Sequence, residues 1–149
     1  MYNQNRNRHN NNRQQDEKIT KNDVQFSNNG ELDKNLYNQK AEKIANILAS
    51  VRGKDINSYT QIRRFYDEVV EFFDEIDTSS NKQEAFKLRE PLILMLNSKV
   101  SYAKGRKKVD KNFVDFINFS LQQVKDVDSF KTFKLFFEAV MGFLRAKKS

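Results

Sequence analysis

The sequence predicts an all-α protein: a single compact bundle of about five helices with a disordered, Asn-rich N-terminal tail. From about residue 35, apolar residues recur at a spacing near 3.6, which is typical of helices that bury one face. Strand signals are nearly absent, because no run alternates β-branched and polar residues, and one proline and four glycines are available for turns. The first fifteen residues, MYNQNRNRHNNNRQQ, carry almost no apolar side chain whose burial could offset the entropy of ordering them. We therefore expect a low-complexity tail over 1–33 and one helical domain over 34–149.

Two apolar stripes predict the first two helices. The first stripe consists of Tyr37, Ala41, Ile44, Leu48 and Val51. Gly53 is expected to stop this helix, and the segment 54–60, KDINSYT, offers several N-cap residues for the next one. The second stripe consists of Ile62, Phe65, Val69, Phe72 and Ile76.

A third stripe predicts a helix that contains the only proline of the chain, Pro91. Proline lacks an N–H and clashes with the carbonyl one turn back, so this helix is expected either to begin near Glu90 or to kink there. Gly105 is expected to end it or to loosen its last turn. The apolar members of the stripe are Leu88, Leu92, Met95, Leu96 and Ala103.

The last two predicted helices are rich in phenylalanine. Eight of the thirteen phenylalanines fall between residues 113 and 143, and at helical spacing they favour a packed core over a stacking platform. Asp128 or Ser129 is expected to cap the fifth helix. The fourth stripe consists of Phe113, Phe116, Ile117, Leu121 and Val124, and the fifth of Phe130, Phe133, Phe137, Val140 and Leu144.

The composition argues against an enzyme. There is no cysteine, and the single histidine, His9, lies in the polar tail, so neither a nucleophile–histidine pair nor a cluster with metal-ligand spacing is expected. The paired carboxylates Glu71 and Glu75 fall on a solvated helix face, and no phosphate-binding glycine loop occurs. We expect no catalytic residue, no metal and no cofactor. The chain contains neither an apolar run long enough to cross a membrane nor a secretion signal, so we expect a cytoplasmic protein with no membrane partner.

The positive charge is concentrated in one segment. Residues 1–33 hold five basic and five acidic residues, so the whole net charge of +7 falls on the helical part. The segment KVSYAKGRKKVDK at 99–111 has six cations against one carboxylate. On a helix, Lys99, Tyr102 and Arg106 lie within a strip about 60° wide. Such a surface suits contacts to phosphates that do not read base sequence, although the same charges also serve solubility alone.

An acidic block lies about thirty residues before the basic one. Six acids and no base occur in residues 66–81, which suits head-to-tail contacts between copies of the chain, in which acidic and basic faces meet. A pair of solvated faces is the alternative. The acids are Asp67, Glu68, Glu71, Asp74, Glu75 and Asp77.

Two segments, SYTQIRRFYDEV at 58–69 and KVSYAKGR at 99–106, resemble the signature segments of the small helical subunit of type III-A CRISPR (Csm) effector complexes. The resemblance covers most of residues 35–146. It implies a non-catalytic protein of antiviral defence that stacks in several copies along guide and target RNA, beside the backbone subunits. It assigns RNA contacts to Arg63 or Arg64 and to Lys99, Tyr102 and Arg106. Charge and position alone add Arg52, Lys54, Lys104, Lys107 and Lys108.

Two functions therefore stay open from the sequence. The first is a subunit that lines the path of single-stranded target RNA and guide RNA in a ribonucleoprotein. The second is a structural helical adaptor that uses its charged patches on protein neighbours without binding RNA.

Overall fold

The computed structural model describes residues 17–53 and 55–148, the side chain of residue 148 excepted. His9 and Lys54 therefore lie outside the described residues. Within them the all-α prediction is confirmed, with a one-turn 3-10 helix (Asn22–Val24), a small hairpin and a π-helical turn (Leu36–Lys40) before the first α-helix. The α-helices are α1 (Ala41–Ala49), α2 (Tyr59–Asp77), α3 (Lys82–Leu94), α4 (Leu96–Gly105), α5 (Lys111–Leu121) and α6 (Val127–Lys148).

The predicted boundary between tail and bundle at residue 33 is wrong, because residues 17–33 pack onto the helices. Ile19, Val24 and Phe26 are buried in the same core as the helical stripes. The backbone N–H of Ile19 donates to Oδ1 of Asn112 at 3.0 Å, and that of Phe26 donates to Oε1 of Gln123 at 2.8 Å. Three apolar side chains in a polar stretch are a weak sequence signal, yet each has a site in the core. A low-complexity tail over residues 1–16 stays a prediction.

A hairpin in this segment was missed by the sequence reasoning. Strands β1 (Ser27–Asn28) and β2 (Glu31–Leu32) pair antiparallel. The two turn residues have left-handed backbones, with φ of 53° at Asn29 and 82° at Gly30. Asn-Gly is the preferred pair for such a two-residue turn, so the signal was present in the sequence.

The core is built around α6, which packs against α1 and α2. Phenylalanines from α5 and α6 fill its centre; the rings of Phe116 and Phe137, for example, lie 5.4 Å apart and nearly perpendicular. Edge-to-face pairs of this kind stabilise a core beyond the area that they bury. The predicted stripes of the fourth and fifth helices are confirmed, since all ten members are buried.

The start of each of the four longest helices is capped by a side chain. Ser58, Asn81 and Asp110 each accept a hydrogen bond from the backbone N–H three residues later. At α6 the cap is Asp126 instead of the predicted Asp128 or Ser129. Its carboxylate accepts from the N–H of Ser129, whose hydroxyl oxygen accepts from the N–H of Asp126, which is the reciprocal capping box.

The third predicted helix differs most from expectation. It begins at Lys82, well before Pro91, and is divided at Met95 into α3 and α4. The predicted stripe faces solvent over α3: Leu88 is 71% exposed, and Leu92 and Met95 are about half exposed. Of the predicted stripe, Leu96 is buried, and the rest of the buried side of α3 and α4 consists of Ala85, Phe86, Ile93 and Val100. Because α3 is apolar on two sides, spacing alone did not decide which side is buried.

Among the described residues, none of the helices combines the length and the hydropathy that a membrane span requires.

Candidate nucleic-acid interface

An open groove of about 670 Å³ separates the first half of α2 from α4. The α2 side of the groove carries Arg64, Phe65 and Glu68, and the α4 side carries Lys99 and Tyr102. These residues come from the two segments 58–69 and 99–106 that the sequence analysis singled out. The two segments therefore face each other across one groove.

Arg64 enters the groove because of the helical register of α2. Ile62 and Val69 are fully buried and direct one side of the helix to the core. Arg64 lies about 200° from Ile62 around the helix axis, so its side chain leaves the core side. It is exposed, and among the described residues no carboxylate pairs with it. Its guanidinium is therefore available to an anion.

Lys99 and Glu68 form an ion pair across the groove. The Lys99 side chain is 42% exposed and that of Glu68 27%. The pair joins α2 to α4, and it places a carboxylate beside the groove cations. Lys99 is thus the groove cation whose charge is already balanced inside the protein.

Tyr102 and Arg106 form an exposed pair one helical turn apart at the end of α4. Tyr102 is 66% exposed. Cζ of Arg106 lies 5.8 Å from the centre of the Tyr102 ring, and its Nη1 donates to the tyrosine hydroxyl at 3.2 Å. A guanidinium beside an aromatic ring keeps further N–H donors for a phosphate, while the ring offers a face for a base. The prediction that Lys99, Tyr102 and Arg106 share a strip is confirmed, since all three line the groove.

The backbone conformation at the end of α4 determines where Lys107 and Lys108 lie. α4 ends at Gly105, as predicted, and the residue with the left-handed backbone is Lys107, two positions later, with φ of 60°. The N–H of Lys107 bonds the carbonyl of Lys104 at 2.9 Å, and the N–H of Lys108 bonds that of Ala103 at 3.0 Å, which is the Schellman pattern. Lys108 consequently lines the groove, whereas Lys104 and Lys107 are exposed outside it.

Asn57 holds the loop that carries Lys108. Its side chain is fully buried, donates through Nδ2 to the carbonyl of Leu48 at 3.2 Å and accepts through Oδ1 from the N–H of Asp110 at 3.0 Å. Its own N–H donates to the carbonyl of Lys108 at 3.0 Å. Asn57 also has a left-handed backbone, with φ of 56°, which asparagine tolerates better than most residues. This role was not predicted from the sequence, in which the segment 54–60 offered only N-cap candidates.

The other predicted cations lie away from the groove. Arg63 leaves α2 about 100° around the helix axis from Arg64, and its Nε is 3.7 Å from Oδ2 of Asp67. Arg52 follows α1 and lines a separate depression that also contains Glu17 and Asp110. The structure therefore brings together Arg64, Lys99, Tyr102, Arg106 and Lys108, and leaves Arg52, Arg63, Lys104 and Lys107 elsewhere.

The acidic block is partly neutralised within the chain. Glu75 bonds Arg89 at 2.7 Å and Asp77 bonds Lys82 at 3.1 Å, in addition to the pairs that Asp67 and Glu68 form. Four of its six acids thus have a partner in the chain, which leaves a smaller acidic face for a neighbouring copy than the sequence indicated. No group of three or more potential metal ligands occurs within residues 17–53 and 55–148.

Fold and groove together define a small all-helical protein with a cationic groove between two helices. A family model described as Csm2 Type III-A matches residues 31–149. The chain belongs to this Csm2 family, the small subunits of type III-A CRISPR effector complexes, and the resemblance inferred from the two segments is confirmed. Comparisons with curated proteins and with solved structures found no match.

Proposed function

We propose that the groove between α2 and α4 binds single-stranded RNA, and that the protein is a non-catalytic subunit that lines the guide and target RNA path. Copies of the chain stack along this path beside the backbone subunits, in a cytoplasmic complex of antiviral defence. One observation carries the proposal: the two segments that resemble the family signature form opposite walls of one groove that is rich in cations.

The chemistry of the groove supports RNA over other anions. Arg64, Arg106 and Lys108 lie along it without a carboxylate partner among the described residues, and phosphates bind such cations irrespective of sequence. Tyr102 adds an exposed aromatic face, on which an unpaired base can stack. Bases in a duplex are already stacked on one another, so the combination favours a single strand.

Salt-dependent binding of the full chain to RNA tests this proposal. The variant Arg64→Gln with Arg106→Gln loses two groove cations, and the control Lys87→Gln with Lys131→Gln loses two exposed lysines elsewhere. Binding of a fluorescein-labelled 15-nucleotide oligo(U) is followed by fluorescence anisotropy at several salt concentrations. We expect the slope of log K against log salt to fall by about 1.4 in the groove variant, at about 0.7 per phosphate contact, and to stay unchanged in the control. Equal slopes in the wild type and the groove variant would refute RNA binding by the groove.

The structural adaptor remains a second candidate function because the solvent-facing side of α3 is apolar. Leu88, Leu92 and Met95 expose an apolar stripe there, a feature that often marks a protein contact. Leu88→Ser with Leu92→Gln removes this stripe without touching the groove. Under the adaptor function, these substitutions release the subunit from the purified effector complex while the groove variant is retained with its normal RNA content. Under the RNA-lining function, the groove variant lowers the amount of target RNA that the complex retains.

A further inference from the structure

We propose that the RNA path continues from the groove across α2 to a second cationic site, formed by Tyr59, Arg63 and Arg145. This inference rests on the proposed function of the groove. It adds a binding site about 100° around α2 from the groove and brings in Arg145, which was not predicted from the sequence.

Two guanidinium groups meet on one aromatic ring in this second site. Cζ of Arg145, near the end of α6, lies 4.9 Å from the centre of the Tyr59 ring, and Cζ of Arg63 lies 6.0 Å from it. The ring attracts both cations through its face, so the N–H edges of each guanidinium remain available to a ligand. Tyrosine and two arginines are therefore gathered where the start of α2 meets the end of α6.

The charge of the site is only partly balanced. Within the described residues no carboxylate pairs with Arg145, and Arg63 has a single contact of 3.7 Å to Asp67, with both side chains more than half exposed. An exposed pair at that distance contributes little, and it leaves the guanidinium free to exchange partners. A phosphate offers two oxygens to each arginine and relieves the repulsion between the two cations.

The second site is continuous with the groove through consecutive residues of α2. Arg64 faces the groove and Arg63 faces the second site, about 100° apart around the helix axis. Between these directions, the first turn of α2 exposes Thr60, whereas the acids Asp67 and Glu71 lie two and three turns into the helix. A phosphate chain that crosses the first turn therefore meets a neutral side chain between two cations. Since a helix with its side chains is about 10–12 Å across, only an RNA longer than the groove reaches both sites.

The length of the RNA provides the test. The variant Arg63→Gln with Arg145→Gln is compared with wild type and with Lys87→Gln, Lys131→Gln, using labelled oligo(U) of 5 and 15 nucleotides between 50 and 200 mM salt. For the 15-mer we expect the salt slope of the variant to fall by about 1.4, so that its affinity changes about sevenfold less than that of wild type over this range. For the 5-mer we expect a smaller fall than for the 15-mer, because fewer of its phosphates remain for the second site once it occupies the groove. Arg145→Gln alone, at an exposed position near a helix end, should lower the 15-mer slope by about 0.7 and guards against misfolding of the double variant.

The outcomes separate this inference from the proposed function. One outcome is that the Arg63→Gln, Arg145→Gln double variant and the Arg145→Gln single variant both bind the 15-mer with the wild-type salt slope while the groove variant shows a reduced slope. In that case the groove binds RNA and the second site does not. If the groove variant also keeps the wild-type slope, the proposed function itself fails. If the Arg63 and Arg145 variants bind RNA normally but are lost from the purified effector complex, these cations contact a protein, and the second RNA site is refuted.

Discussion

Replacement of Glu68 by glutamine tests whether this carboxylate limits RNA binding by neutralising the charge of Lys99 in the groove. The substitution keeps the shape of the side chain but removes the carboxylate that pairs with Lys99. The Lys99 ammonium then faces a groove whose other charged residues are Arg64, Arg106 and Lys108. If the groove binds RNA, Glu68→Gln should bind it more tightly than wild type, because Lys99 becomes available to a phosphate and a repelling charge is lost.

The expected size follows from one additional phosphate contact. The slope of log K against log salt should become steeper by about 0.7, so that a fourfold rise in salt weakens the variant about 2.6 times more than wild type. The cost in stability is small, because an ion pair with side chains 42% and 27% exposed contributes about 1 kcal/mol or less. Tighter binding should therefore appear in a protein that is still folded.

Glu75→Gln is the matched control. Glu75 lies two turns further along α2, outside the groove, and its pair with Arg89 at 2.7 Å is also lost. Anisotropy with the labelled 15-mer at 50 and 200 mM salt, together with thermal melts by circular dichroism, measures both quantities. The role of Glu68 in limiting RNA binding is refuted if Glu68→Gln melts like Glu75→Gln but binds RNA no better than wild type. Lys99 would then serve only to hold α2 against α4 and would not contact RNA.

Three predictions concern stability, each measured by chemical denaturation. Tyr66→Phe should lower the free energy of unfolding by about 1 kcal/mol at neutral pH, because the phenol donates to Glu138 at 2.8 Å. Burial and this hydrogen bond raise the pKa of Tyr66 above 10.0, and the hydrogen bond lowers the pKa of Glu138 below 4.5. Wild type should therefore lose this contribution as the pH rises above about 10 and as it falls below about 4.5, so a pH-independent difference between the proteins would contradict the assignment. Lys107→Gly should raise the free energy of unfolding by about 1 kcal/mol, since a side chain at φ of 60° is strained; the control Lys104→Gly, inside α4, should lower it. Asn57→Ala should lower it by about 3 kcal/mol, because two backbone groups lose the partner that the buried side chain provides. Asn57→Gly, which removes the same bonds without strain, should be nearly as unstable; a stable glycine variant would mean that backbone conformation matters more than the hydrogen bonds.

The helices with one apolar side were predictable from the sequence. In α5 and α6 the phenylalanines recur on one face with polar residues opposite, so periodicity alone identified residues such as Phe116 and Phe137 as core. In α3 the same periodicity predicted that the side which faces solvent would be buried. Leu88 and Leu92 form a stripe as regular as that of Phe86 and Ile93, and only the second finds neighbours that bury it.

Residues 17–33 show a second limit of local patterns. Ile19 and Phe26 are isolated apolar residues in a polar stretch, which indicated a tail. Their burial depends on Asn112 and Gln123, which lie more than ninety positions away along the chain and bond their backbone N–H groups. A pattern read over ten or twenty consecutive residues does not include these partners and therefore cannot predict the burial.

Only one wall of the candidate site could be predicted from local sequence patterns. Lys99, Tyr102 and Arg106 follow one another at helical spacing, so the geometry of a single helix is enough to place them together. The opposite wall comes from another helix, and the sequence left open whether Arg63 or Arg64 belongs to it. The structure places Arg64 in the groove and Arg63 beside Tyr59.

The sequence by itself determined that the chain is helical, that the fourth and fifth predicted helices form its aromatic core, and that one strip of α4 is basic. These properties depend on neighbours within one or two helical turns, where spacing directly gives position. Tertiary structure alone decided which side of α3 is buried, where the packed unit begins, and that Arg64 and Glu68 face Lys99 across a groove. Each of these depends on contacts between segments far apart in the chain, and such contacts are chosen by the packing of the whole protein.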